Sequence, residues 1–303
     1  MNYVPLIFYE QLASQFCLKK TLIAGSALPG QPGRVLSNAC GKRCLRHIWV
    51  RNGQFEDAKV YNEKTGRHQA VSPSGKHLHY TGIVIRADVE EYSTDPEAME
   101  RVLSATKGKH VLLNFETPNI SEEIAKCVES IRFVFELKVD AKITNDVLKV
   151  MRLCVKKNTL NKMTIAKNFE IKDETAQLLV DLLKQKQFHR LCLPAKWSAA
   201  LKTIIASWRK NSSEMVGKRI CCKEGFSDLQ LSSTEFPFEE CTDEEELDAK
   251  RAYRVAADWP DITTKSVLRN QDGRALYFFS RPFLKFKSVF VFAVSTSEFH
   301  FRI

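Results

Sequence analysis

The sequence predicts an α/β chain: an irregular array of strand–helix units over residues 77–225, flanked by a small N-terminal helix, a β-meander and a C-terminal β cap. Three observations predict it. Short apolar strand cores of one spacing recur five times, with a weaker sixth, and the segments between them carry helical periodicity. Outside 77–225 the pattern changes to strand-like alternation broken by turn signals.

The elements follow in chain order. Residues 1–20 hold an amphipathic helix, with Pro5 near its start and Ile7, Phe8, Leu12 and Phe16 on one face. Gly25, Pro29, Gly30, Pro32 and Gly33 then mark a breaker-rich loop. Across 44–76, alternating runs around Asn52-Gly53 and 62–66 read as an antiparallel meander, a capping sheet or minor domain. In the array the first inner apolar positions are Ile83, Leu113, Phe135, Met163, Leu191 and Ile220, at steps of 30, 22, 28, 28 and 29 residues. Steps this regular argue for a repeat. Between them, Thr94-Asp-Pro-Glu97 offers a capping box, Asp173 a second cap, and helices follow Thr144 and Ser198. A strand followed by a one-faced helix cannot bury its apolar side alone and must stack on its neighbours. After an acidic linker, residues 249–303 form the β-rich cap, whose clearest part is a hairpin around Asn270-Gln-Asp-Gly273.

Composition narrows the class. With 303 residues, 44% of them hydrophobic and 27% charged, the chain is long enough for a well-buried core and is not of the disordered kind. The longest apolar run, Ser288 to Val294, is far below the ~20 residues that cross a bilayer, so no membrane partner is expected. The first residues lack a basic n-region and carry Glu10, unlike a secretion signal. Nine cysteines, an odd number without framework spacing, suit a reducing intracellular compartment, cytoplasmic or nuclear. Net charge is +10, but eight acidic residues lie between Glu235 and Asp248 with no basic one among them. The rest of the chain therefore carries a large basic surplus, which admits an acidic protein, nucleic acid or a solvated Lys-rich surface.

Leu160, Met163, Ile165 and Asn168 stand in the order L-x-x-L-x-L-x-x-N, which resembles the leucine-rich repeat. That resemblance implies a βα solenoid, helices on its convex side, with the Asn side chain bonding backbone of the adjacent turn. Asp88 and Asp140 can stand in for it in part, whereas Pro118 and Lys196 cannot, so the array is irregular. A doubly wound sheet also alternates strand and helix and stays open as the alternative. No G-x-G-x-x-G follows any strand. More loosely, Val4-Pro-Leu-Ile-Phe-Tyr-Glu-Gln-Leu12, together with Trp259-Pro260 to Phe279, resembles the nematode-expanded F-box and F-box-like families. This resemblance implies docking to a ubiquitin-ligase adaptor through the N-terminal helix and reception of substrates by the repeats. A helix that simply caps the first strands is the other use of residues 4–16.

No residues are assigned to catalysis, to a cofactor or to a metal. Cys40-x3-Cys44-x2-His47 has ligand-type residues, with His77 and His79 further on, but not the paired motifs of a structural zinc site. Cys221 and Cys222 are adjacent in a strand and point to opposite faces. The acidic run lacks the spacing and Gly of a calcium loop and reads as a solvated linker. No G-x-S-x-G, Walker or zinc-protease pattern is present. What remains is a surface. Alternation turns Arg86, Asn114 and Glu136 away from the core, followed by Lys138, Lys162, Thr164, Arg190, Arg219 and Lys223. The last six are the expected partner-binding residues. The expected function is a non-enzymatic protein-interaction module that takes an acidic protein partner. The alternative is a nucleic-acid-associated protein, which the absence of aromatic residues along the stripe disfavours.

Overall fold

The computed structural model describes residues 27–42, 44–62, 67–69, 78–89, 91–167, 172–194, 197–223, 236–243, 245, 264–280 and 288–294. The expected helix at 4–16, Asn168, Lys196, Trp259 and the last residues lie outside the described residues. The chain divides into two compact units, Met1–Phe135 and Glu136–Ile303.

The first unit contains α1 (Gln31–Lys42), β1 (Cys44–Arg51), β2 (Gln54–Asn62), β3 (His68–Gln69), β4 (Leu78–Arg86), α2 (Pro96–Thr106), β5 (His110–Phe115) and α3 (Glu122–Ser130). Its strands lie in the order β3-β2-β1-β4-β5. β1 to β3 are the expected antiparallel meander, but β1 also pairs parallel with β4. The meander is therefore the edge of the repeat strands' own sheet rather than a separate cap. The Asn52-Gly53 turn has positive φ at both residues, +48° and +74°, as a tight hairpin of right-handed twist requires. The breaker loop is shorter than its composition suggests, because Pro32 and Gly33 lie in the first turn of α1. A helix tolerates proline there, where the missing N–H has no intrahelical acceptor.

Capping refines the helix starts. Asp95, not Thr94, caps α2 by accepting from the Glu97 N–H at 3.0 Å. Thr94 Oγ1 instead shares a 2.6 Å hydrogen bond with Ser121 Oγ, and Ser121 caps α3 through the Ile124 N–H. α3 occupies the shortest step of the array, too short to show its period clearly beside the strands. The core of this unit is a layer of Val50, Ile83, Ile85 and Leu113 from the sheet against Met99, Val102, Ile124 and Val128 from α2 and α3.

The second unit takes in most of β6 (Val134–Val139), then α4 (Asn145–Lys156), β7 (Lys162–Ile165), α5 (Asp173–Lys184), β8 (Arg190–Leu193), α6 (Ser198–Lys210), α7 (Ser212–Met215) and β9 (Arg219–Cys222). β10 (Glu239–Glu240), β11 (Thr264–Arg269), β12 (Arg274–Ser280) and β13 (Ser288–Val294) complete it. The strand order is β6-β7-β8-β9-β13-β12-β11-β10, parallel from β6 to β9 and antiparallel beyond. Thr144 caps α4 as its position suggests, whereas α5 starts after Lys172 without a side-chain cap and Asp173 is its first residue. The acidic segment is more than a linker: Glu239 and Glu240 pair with β11, and Arg269 binds both Glu239 and Glu245.

Strands that advance one place at a time, each joined to the next by a right-handed helical crossover, put every crossover on the same side of the sheet. That side carries Leu137, Met163, Leu191 and Ile220, all at most 1% exposed. Trp208 of α6 meets Phe292 of β13 there, ring centroids 6.1 Å apart.

Candidate functional site

The opposite face of the second unit's parallel strands gathers the residues that alternation turns away from the helices. Register sets them in rows across the strands. One row runs Glu136, Lys162, Arg190, Arg219; the next runs Lys138, Thr164, Cys192, Cys221. All six expected partner-binding residues are half-buried, and Lys223 lies just past the end of β9. Adjacent strands are about 4.8 Å apart, so Lys162, Arg190 and Arg219 are three successive cations at the closest spacing a sheet permits.

Each cation is held differently. Lys162 Nζ donates to Glu136 Oε1 at 2.5 Å, Lys138 Nζ to Asp140 Oδ2 at 3.2 Å, and Lys223 Nζ to the Ala166 carbonyl at 2.8 Å. The stripe is thus less basic than its sequence, since carboxylates answer two of its lysines. In the first unit Glu116 answers Arg86 in the same way, at 2.7 Å, and Asn114 Nδ2 donates to Glu116 Oε1. That Glu116 hydrogen bond raises the Arg86 pKa. Arg190 and Arg219 differ. Burial works against the Arg190 charge, but the sulfurs of Cys221 and Cys192 reverse the balance and hold its pKa above the ordinary value. For Arg219 burial wins, with Arg190 adding to it against Cys221, and its pKa falls.

The role of Cys192 lies outside the sequence-predicted residues, although Cys192 and Cys221 follow Leu191 and Ile220 at the same position of the repeat, the one signal that links them. They are register partners, 1% and 5% exposed. The neighbouring Cys221 thiol, with Arg190, Lys162 and the Thr164 hydroxyl, lowers the Cys192 pKa to about 6 against the cost of burial. The same pairing raises Cys221 well above its usual range. Compared with known protein families, characterised proteins and solved structures, the chain matches none.

Beyond β9 the face stops being polar. Cys192 and Cys221 join a buried cluster with Val267, Tyr277, Phe279, Val289 and Val291. The polar area is therefore bounded on one side by an apolar wall. Cys44 is buried, and His47 stacks on Trp49 at 5.6 Å, with burial lowering its pKa. Among the described residues no group of three or more His, Cys, Asp or Glu could hold a metal, and no helix is long and apolar enough to cross a membrane.

Proposed function

We propose that this chain is a protein-interaction module: an irregular leucine-rich-repeat-like βα solenoid in which the sheet face opposite the described helices binds an acidic protein segment. The observation that carries the reading is the row Lys162, Arg190, Arg219 at one register level, on the face opposite the buried helical side. The solenoid is supported by the strand order in each unit, β4 to β5 and β6 to β9, which advances without the reversal that marks the switch point of a doubly wound sheet. Two neighbouring guanidiniums with fixed stems suit the planar, bidentate geometry of carboxylates better than a field of mobile lysines would.

The test is titration of a fluorescent Asp/Glu-rich peptide, under reducing conditions, with the full chain and with an Arg190→Gln/Arg219→Gln variant. Affinity should fall about tenfold, roughly 1.4 kcal/mol, with both proteins folded by circular dichroism. Equal binding by the two proteins would remove the reading. A single-stranded oligonucleotide bound more tightly than the peptide, with a steep logarithmic salt slope, would favour the nucleic-acid alternative instead.

The narrower role, a substrate receptor of a ubiquitin ligase, rests on the F-box-like resemblance of Val4 to Leu12. Deletion of residues 1–20 should abolish capture of a ligase adaptor and leave peptide binding intact.

A further inference from the structure

Seven cysteines of the described residues are free and buried. Cys127 and Cys154 show the ordinary case: burial pushes their thiols up to about 11 and about 12. A buried thiol of that kind stays protonated and inert. The pair on β8 and β9 is built otherwise. Cys192 and Cys221 are register partners on adjacent parallel strands, with their side chains on one side of the sheet. Thr164 is the register partner of Cys192 on β7, and Lys162, Arg190 and Arg219 form the next row along the same face.

We propose that Cys192 and Cys221 form a redox-active dithiol, in which Cys192, flanked by Thr164, meets a peroxide and Cys221 resolves it into a disulfide. The strand spacing of about 4.8 Å lies inside the window of about 4.4–6.8 Å between Cα atoms that a disulfide requires. Side chains of parallel register partners run nearly side by side, however, so their Cβ atoms stay close to that spacing, wider than the roughly 3.8 Å usual in a disulfide. Closing the bond therefore draws β8 and β9 together at one point. A bond made under strain is readily reduced, as a reversible device needs.

The burial of both residues selects the oxidant. At 1% and 5% exposure the pair could admit no more than a small, uncharged oxidant, and hydrogen peroxide is of that class. In the first step the Cys192 thiolate attacks one peroxide oxygen; the O–O bond breaks, hydroxide leaves, and Cys192 becomes a sulfenic acid. In the second, the Cys221 sulfur attacks the Cys192 sulfur, the S–S bond forms, and the sulfenic oxygen leaves as water with the Cys221 proton. Two electrons pass from the pair of sulfurs to the peroxide, and the released hydroxide takes up the proton that Cys192 gave to solvent on ionising. Arg190 holds the thiolate in place and balances its charge, a positioning role.

This proposal does not depend on the binding reading. The experiment exposes the folded full chain, carrying Cys222→Ser so that the β9 sulfur is unambiguous, to a small excess of hydrogen peroxide, followed by alkylation and tryptic digestion. The expected result is a disulfide joining the peptide that contains Cys192 to the peptide that contains Cys221, lost again after treatment with dithiothreitol. When a peroxide-treated Cys221→Ser variant is denatured in the presence of dimedone, an adduct should appear at Cys192, and the same treatment of a Cys192→Ser variant should give none at Cys221. Three results would overturn the proposal: no linked peptide while the protein remains folded by circular dichroism, linkage of Cys192 to Cys241 instead, or equal dimedone labelling of Cys127 and Cys192.

Discussion

Lys218 is the most buried charged side chain among the described residues, at 4% exposure, and its replacement by methionine tests the energetics of the second unit. Its Nζ donates to three backbone carbonyls just past the end of α5: Gln185 at 2.7 Å, Lys186 at 3.0 Å and Phe188 at 2.6 Å. The ammonium thus ties the chain between α5 and β8 to the segment that enters β9. Lys218→Met keeps most of the buried stem and removes the donors. The Gln185 carbonyl still accepts the Phe188 N–H, so the loss falls mainly on Lys186 and Phe188. An orphaned buried acceptor costs about 1–3 kcal/mol. Relief from burying an ammonium offsets part of the total, since that burial itself costs several kcal/mol of order. The net expectation is a loss of about 2–4 kcal/mol. Trp197 and Trp208, both at most 1% exposed in the same unit, make tryptophan fluorescence a suitable reporter of urea unfolding. With a slope of about 2 kcal/mol/M, the midpoint should fall by roughly 1–2 M. A shift below about 0.3 M, or an increase, would refute the view that the carbonyl cage outweighs the cost of burying the charge.

Two further outcomes follow. Gly53→Ala should destabilise the first unit by about 2–4 kcal/mol in thermal or urea unfolding, because an L residue is strained at positive φ and the added carbon meets backbone besides. That carbon would stand 2.6 Å from the Ser93 carbonyl oxygen and 2.6 Å from Thr94 Cα, and φ is +74°. For Cys192, the folded thiol ionises near 6 and the unfolded one near 9.0. A depressed acid pKa adds stability that is complete above the unfolded value and is lost as pH falls toward the folded one. The wild-type urea midpoint should therefore rise relative to Cys192→Ser between pH 6 and pH 9, and parallel curves would contradict the assignment.

Much of the fold was legible because parallel strands buried on one face leave a strong record. The inner apolar pairs at 83 and 85, 113 and 115, and 163 and 165 are all buried, and each falls in a strand. Helix starts were less legible. Thr94 and Asp95 are both competent caps for α2; Asp95 takes the place while Thr94 binds Ser121, a contact that no local rule anticipates. α1 was hidden by Pro32 and Gly33, which read as breakers until a helix is known to begin at Gln31. At the candidate site, alternation alone placed the six polar residues on one face. It could not show that Glu136 and Asp140 answer Lys162 and Lys138, because the partners come from the adjacent strand or from beyond a strand end. Nor could it pair Cys192 with Cys221, twenty-nine positions apart, without the register between β8 and β9.

The place of β13 has a consequence for how the second unit comes into being. This strand lies between β9 and β12, yet it is made roughly seventy residues after β9, so the middle of the sheet is the last part of it to leave the ribosome. Until then β9 offers an unpaired strand edge, and the apolar residues that will meet β13 have no lid. A nascent chain halted between residues 222 and 288 would be the aggregation-prone species, and its assembly would be completed in one late step when Phe290 and Phe292 slide in beside Ile220.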